Sequence, residues 1–184
     1  MTDKAKLFRM LKTKSFMYRE NPPFKLASGA VSPYYFDCRK TLLDYYGLIL
    51  TGKVLGQVVN DLVYLQNDNI THVGGMTMGA DPITYAICLT TGLNPLIIRK
   101  EPKDHGTRKQ IEGTFSKGNR AIVIDDVITT GGSTIKAIEA MGKENIIVKD
   151  AVILLDREEG GREAIEKYGI QVVSIFKASE FKNT

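Results

Sequence analysis

From Ile70 onward, short apolar runs alternate with stretches whose apolar positions recur at helical spacing. Ile70 to Gly74 reads as a strand, Ala80 to Thr91 as a helix with Pro82 suited to its first turn, and Pro95 to Ile98 as a second strand closed by charge. Ala121 to Ile124 and Ile146 to Leu155 are β-branched runs of the kind expected when both faces of a sheet are covered. Between them Ile135, Ile138 and Met141 give Thr134 to Met141 a helical period. Gly160 to Tyr168 reads as a further helix and Gln171 to Phe176 as a last strand. This alternation predicts an α/β fold with a doubly wound, mostly parallel sheet. Such sheets gather ligands at the carboxyl ends of their strands.

Two regions break the alternation. Residues 1–45 hold a short amphipathic segment, Asn21-Pro22-Pro23 and the aromatic stretch Tyr34 to Phe36; they read as a small N-terminal cap, or hood, over the strand ends. A helix-like run, Gly47 to Tyr64, then leads into a core spanning residues 46–184. Within that core, Lys100 to Gly118 is long, charged and punctuated by glycine, as expected of a functional lid. The whole is expected to be one domain, since 184 residues suffice for one α/β core and not for two.

Composition narrows the class only slightly. The chain is 43% hydrophobic and 25% charged, with 25 basic and 21 acidic residues for a net charge of +4. A mild basic excess suits acidic small molecules. The cations are spread along the chain except between Arg99 and Lys109, so no general nucleic-acid surface is expected. Cys38 and Cys88 form no C-x-x-C pair, which with two histidines argues against structural zinc. No window approaches eighteen consecutive apolar residues and Met1 to Met10 lacks a signal-peptide core. A cytoplasmic protein with no membrane span is expected.

The chemistry concentrates in Ala121-Ile-Val-Ile-Asp-Asp-Val-Ile-Thr-Thr-Gly-Gly-Ser-Thr134. An apolar strand ends in Asp125 and Asp126, then turns through Thr129, Thr130, Gly131, Gly132 and Ser133 into a helix. Glycines let several backbone N–H groups converge, hydroxyls add donors, and the helix brings its free amides and positive dipole end. This is a cradle for a phosphate monoester. The acids beside it suit ribose hydroxyls or hydrated magnesium, which takes few carboxylates.

The segment resembles the signature of the type I phosphoribosyltransferases, where it holds the ribose 5-phosphate of phosphoribosyl pyrophosphate. On that resemblance Val127 and Ile128, inside the motif, join the contacts to that substrate. Three further segments resemble those of orotate phosphoribosyltransferases: Phe24-Lys-Leu-Ala-Ser-Gly29 with Ser32-Pro-Tyr-Tyr-Phe-Asp37 their cap, Arg99-Lys100 through Lys103, His105 and Gly113 their catalytic loop, and Leu155-Asp-Arg157-Glu-Glu-Gly-Gly161 the segment after the next strand. The resemblance implies Lys103, His105, Asp125 and Asp126 as catalytic residues, Arg99 and Lys100 as further substrate contacts, magnesium as cofactor, and a homodimer in which some loop residues serve the neighbouring site. Gly74-Gly-Met-Thr-Met-Gly79 resembles the pyrophosphate loop. Here Thr77 and Met78 replace a tyrosine–lysine pair of some relatives, and Ala27 replaces a lysine. Binding there falls to backbone amides and Thr77.

Orotate is a flat ring with a carboxylate. Tyr35 and Phe36 can close over the ring, although both also suit plain core packing. Arg157 can pair with the carboxylate as a planar fork, or form a salt bridge with Glu158 or Glu159. Thr129 can donate to the same base. The expected reaction is transfer of the 5-phosphoribosyl group to orotate, giving orotidine 5′-monophosphate and pyrophosphate. The alternatives are transfer to another base, for which Arg157 should matter little, or a phosphoribosyl-pyrophosphate-sensing regulator. The latter would be expected to carry a nucleic-acid module or basic stripe that this chain lacks. Gly47 to Lys53 has the spacing of a P-loop, but Val54 replaces the required hydroxyl and the run is helical. Asp81 reads as a helix start, His72 as a structural histidine, and the cysteines as inert thiols.

Overall fold

The computed structural model describes residues 1–25, 29, 31–66, 69–101 and 109–182. The expected contacts Lys103 and His105, and the replaced position Ala27, lie outside the described residues. Helix α1 (Asp3–Met10) starts where the Thr2 hydroxyl accepts from the Ala5 N–H at 3.2 Å, and it runs on into a π-helical turn, Leu11–Ser15. Strand β1 (Phe16–Tyr18) pairs antiparallel with β4 (Tyr34–Phe36), and β2 (Phe24–Lys25) pairs with β3 (Val31–Ser32). After α2 (Arg39–Leu42) comes the long α3 (Tyr45–Gln66).

The alternation then proceeds as expected, except that β7 forms inside the stretch read as a lid and α7 follows the last expected strand: β5 (Ile70–Met76), α4 (Asp81–Thr91), β6 (Asn94–Ile98), the short β7 (Ile111–Glu112), β8 (Arg120–Ile128), α5 (Gly132–Lys143), β9 (Ile147–Asp156), α6 (Gly161–Glu166), β10 (Gln171–Lys177) and α7 (Ala178–Lys182). Among the described residues the main sheet has six strands in the order β10-β9-β8-β5-β6-β7. All pairings are parallel except β6 with β7. From β5 the chain steps outward to β6, then returns to β8 on the other side and continues to β9 and β10. The direction of winding therefore reverses between β5 and β8, and crevices for ligands open at such reversals.

Both faces of the sheet are covered. Ile122, Ile124, Val152 and Leu154 pack with α1, α3 and α4 through Leu7, Leu55, Val59, Ile83 and Ile87. The alternate residues Ala121, Val123, Ala151 and Ile153 pack with α5 and α6 through Ala137, Met141 and Ile165. Helix α3 contains a 21-residue stretch, Tyr45–Leu65, long and apolar enough to cross a bilayer by length and composition, with mean hydropathy 1.3. Its buried positions, among them Thr51, Leu55 and Val59, instead form a stripe at helical period against the sheet. The P-loop-like spacing Gly47 to Lys53 lies entirely in this helix.

One boundary differs from the sequence expectation. Strand β8 does not end at Ile124 but carries Asp125 and Asp126 within it, because the ladder with β9 continues from Asp125 opposite Ile153 to Ile128 opposite Asp156. The acids are thereby held on rigid sheet and not on a loop.

Candidate active site

A cleft of about 800 Å³ opens over the carboxyl ends of β5 and β8, at the reversal of winding. Its floor is the phosphate-cradle motif. Gly131 sits at φ 79°, a left-handed conformation that glycine adopts freely, and passes the chain into α5. Thr129, Thr130, Gly131, Gly132 and Ser133 all line the cleft, with the open amides of the first turn of α5 beneath them. The turn is packed backbone to backbone on the segment after β9. A Cβ on Gly161 would stand 2.6 Å from the Thr129 carbonyl oxygen and 3.0 Å from the Gly131 nitrogen. Only glycine fits there.

Asp125 is 4% exposed and fully engaged. Its Oδ2 accepts from the Thr134 hydroxyl at 2.6 Å and the Ser133 hydroxyl at 3.0 Å, and its Oδ1 accepts from the Asp126 N–H at 3.0 Å. Burial nonetheless pushes its carboxyl above the ordinary range. Asp126 faces the cleft and is enclosed on its other sides; burial, then the charge of Asp125, pushes it up to about 7. The pair thus offers one fixed carboxylate and one that exchanges protons near neutrality.

The loop after β5 forms the opposite lip. Thr77, Met78 and Gly79 line the cleft, and the Thr77–Met78 peptide bond is cis. The Thr77 hydroxyl is not turned toward a ligand: it donates to Asp81 Oδ2 at 2.7 Å. Asp81 opens α4 beside Pro82, as expected. Gly74 and Gly75 are dictated by close approach of the Leu96 and Ile124 carbonyl oxygens.

At the far end stand the hood and the turn after β9. Strand alternation separates the two aromatic candidates. Phe36 is 7% exposed and joins an aromatic core with Phe16, at 5.0 Å between ring centroids, and Phe181, at 5.2 Å. Tyr35 points the other way and stacks on Phe24 at 5.5 Å, with 28° between the rings. Both residues contribute to the cleft wall. Arg157 lines the cleft while only 7% exposed; its guanidinium pairs with Glu159 Oε1 at 2.8 Å and donates to Ser32 Oγ at 3.5 Å. The salt bridge with Glu159 weighed as the alternative is thus formed, on an arginine that is itself buried.

Most sequence-derived candidates therefore meet in one cleft, including Lys100 and Val127. Arg99 and Ile128 do not line it. Arg99 lies at the root of the charged loop, its guanidinium 3.7 Å from Glu112, while Ile128 is buried in the core and its carbonyl accepts from the Arg157 N–H at 3.0 Å. Sequence reasoning missed Arg39 and Lys136, which line the cleft with Asp37 and Gly79, the latter two named only as parts of the cap and pyrophosphate-loop motifs. Arg39 is paired with Asp37 at 2.8 Å. Lys136 was open to discovery, because it stands three residues past Ser133 on α5 and helical side chains lean back toward the N-terminus.

The groups set aside behave as expected. His72 Nε2 donates to the Thr114 carbonyl at 2.9 Å, so its Nδ1 accepts from the Thr71 hydroxyl at 2.7 Å. Burial, followed by the charges of Asp126, Asp37 and Asp125, pushes the Cys38 thiol well up, and burial pushes Cys88 up to about 11. Neither is a nucleophile near neutrality.

Residues 47–182 match the model of the phosphoribosyl transferase domain. Over its length the chain is 42% identical to orotate phosphoribosyltransferase of Aquifex aeolicus, covering 98% of each chain, and 42% identical to that of Leptospira biflexa, covering 95% of each. Among solved structures it resembles orotate phosphoribosyltransferase of Mycobacterium tuberculosis in complex with 5-phospho-α-D-ribosyl 1-diphosphate. The TM-score is 0.79 at 28% identity, covering 98% of this chain and 99% of the other.

Proposed function

This chain belongs to the phosphoribosyl transferase domain family, and from that premise we propose that it transfers the 5-phosphoribosyl group of phosphoribosyl pyrophosphate to N1 of orotate. The products are orotidine 5′-monophosphate and pyrophosphate, a step of pyrimidine nucleotide synthesis. One observation carries the reading: Tyr35 and Arg157 share a single cleft with the Asp125–Asp126 pair and the Thr129–Ser133 cradle. A flat anionic base and a phosphorylated sugar thus find complementary groups in one space.

Thr129 to Ser133 and the first amides of α5 grip the 5-phosphate. Asp125, locked by Ser133 and Thr134, and Asp126 hold the ribose hydroxyls. The pyrophosphate falls to the amides of Met78 and Gly79 at the cleft, since the Thr77 hydroxyl is committed to Asp81 and the Thr77 and Ala80 N–H groups to the Ile98 and Met76 carbonyls. Lys100 and Arg99, with Lys103 and His105 on the resemblance of the loop, offset the negative charge that grows on the leaving group. Arg157 forks onto the orotate carboxylate, Tyr35 and Phe36 border its ring, and Thr129 donates to it. Val127 and Ile128 shape the strand end beneath the ribose. The reaction needs positioning and charge stabilisation, with no covalent intermediate on the protein.

Magnesium fits the residues present. Among the described residues there is no cluster of three or more metal-ligating side chains, and Asp125 has spent its oxygens on protein donors. An ion that keeps its waters would be held here through water or ribose by Asp126, which faces the cleft, with Asp125 fixed beside it. When bound, magnesium neutralises the departing pyrophosphate.

The chain acts as one phosphoribosyltransferase unit, residues 1–45 a hood on the core from residue 46, with the catalytic loop read within about 100–118 and ending at β7. A homodimer sharing loop residues is supported by the exposed Leu43, Tyr45 and Tyr46 at the start of α3, at 70%, 72% and 69% exposure. The cytoplasm is the proposed compartment, consistent with two free thiols.

The test follows orotate's ultraviolet absorbance after mixing protein, phosphoribosyl pyrophosphate and magnesium, with uracil, hypoxanthine and adenine in parallel. Loss of the orotate signal, abolished by chelator, is expected. Turnover with another base alone would overturn the specificity, and silence with all four would favour a sensor.

A further inference from the structure

Glu158 follows Arg157 in the turn that leaves β9. It adopts φ 60° although it is not a glycine, a conformation that persists only where the surroundings hold it. Asp156 Oδ1 accepts from its N–H at 2.8 Å, which closes the turn, and Asp156 is itself steadied by Arg162 at 3.5 Å. The Glu158 side chain reaches another part of the molecule. Its Oε2 accepts from the Ser179 N–H at 2.8 Å and its Oε1 from the Ser179 hydroxyl at 3.1 Å. Both bonds end on α7 and both are charge-assisted.

The other end of α7 is seated in the hood. Phe181 is 2% exposed, with ring centroids at 4.5 Å to Phe8, 5.2 Å to Phe36 and 6.0 Å to Phe16. Lys182 Nζ lies 4.8 Å from the centre of the Tyr34 ring. Tyr34 and Phe36 flank Tyr35 on β4, so α7 supports the strand that supplies one wall of the base end of the cleft. The turn carrying Arg157 supplies the other. The direct contact between the turn and the hood, Arg157 to Ser32 Oγ at 3.5 Å, is long for a hydrogen bond.

Resting on the reading of this cleft as an orotate site, we propose that Glu158 is a positioning residue. Through Ser179 it ties the Arg157 turn to α7, and through Phe181 to the hood, so that the two walls that receive the base keep a fixed separation. The sugar-phosphate end is held by the ladder of β8 with β9 and by the close contact of Gly161 with Thr129 and Gly131, neither of which runs through the Glu158 side chain. Losing it leaves the guanidinium present but no longer held at the distance the orotate carboxylate requires.

The experiment is steady-state kinetics on the full chain with both substrates varied, for the wild type, Glu158→Ala, Glu158→Gln and Ser179→Ala. Glu158→Ala is expected to raise the KM for orotate about five- to tenfold, the worth of one or two lost hydrogen bonds, while the KM for phosphoribosyl pyrophosphate stays within about twofold. Glu158→Gln keeps an acceptor of the same reach and should recover most of the loss; Ser179→Ala keeps its N–H and should fall between. An orotate KM unmoved in Glu158→Ala, an equal rise of both KM values, or a Gln variant as impaired as Ala overturns the inference. A wild type that turns over no orotate overturns the functional reading itself, and is recognised before any variant is compared.

Discussion

Gly79 lies directly against the carboxylate of Asp126: a methyl group on its α-carbon would collide with Oδ1 and stand 2.9 Å from Cγ. The lip that faces the pyrophosphate and the acid that faces the ribose are therefore in contact before any substrate arrives. Gly79→Ala should push Asp126 aside without disturbing the sheet. The expected result is a fall in kcat/KM for phosphoribosyl pyrophosphate of about tenfold to a hundredfold, the scale of a misplacement near 1 Å. An unchanged circular dichroism spectrum and melting temperature would accompany it.

Thr134 holds Asp125 by the shortest hydrogen bond that carboxylate accepts, at 2.6 Å and out of solvent. Thr134→Val keeps the shape and removes the donor. Urea unfolding at pH 7 should show a loss of about 1–3 kcal/mol, the penalty for an under-satisfied buried acceptor. A loss below that range would mean that Ser133 alone satisfies the group.

Asp125 and Asp126 both titrate above their unfolded values, Asp126 at about 7 against a usual 3.8. A carboxyl raised on folding favours the folded state most below its unfolded value, and that advantage is lost as pH rises through the folded one. The ligand-free protein should therefore lose stability from about pH 4 toward pH 7 through this pair. Ribose hydroxyls and hydrated magnesium need the ionised form, so the KM for phosphoribosyl pyrophosphate should fall between about pH 6 and 8, roughly one unit either side of the Asp126 value of about 7, and then level off. Asp126→Asn should flatten that profile. Proton release on binding, read in buffers of different ionisation enthalpy, checks the sign.

On the proposed function Arg157 is the discriminating contact for the base. Arg157→Ala removes a charge-assisted fork, and the KM for orotate should rise about tenfold to a hundredfold, whereas pyrophosphorolysis of a nucleotide whose base lacks a carboxylate should not change. Equal losses in both would deny the carboxylate role.

Much of this was legible in the chain. The period of the apolar residues from Ile70 to Phe176 announced the strands and helices that the structure contains, because a sheet covered on both faces leaves little ambiguity of pattern. The cradle was legible because its glycines, hydroxyls and acids are contiguous. The hood was not. Its strands have two or three residues each, too few to establish a period, and their pairing joins Phe16 to Phe36 across a loop. For the same reason Tyr35 and Phe36 looked equivalent until pairing put them on opposite faces. The commitment of Thr77 to Asp81, and of Glu158 to Ser179 twenty-one residues away, depended on tertiary folding and had no local signature.

The division of the cleft has an evolutionary consequence. Its sugar-phosphate half is set into the central strands, where the backbone of Asp125 and Asp126 is fixed by the ladder of β8 with β9. Its base half is assembled from the N-terminal hood and the turn after β9, pieces that hang on the sheet rather than form it. Selection can exchange the second half for one that fits a different ring while inheriting the first unchanged. One reaction centre can in this way serve a whole series of nucleobases.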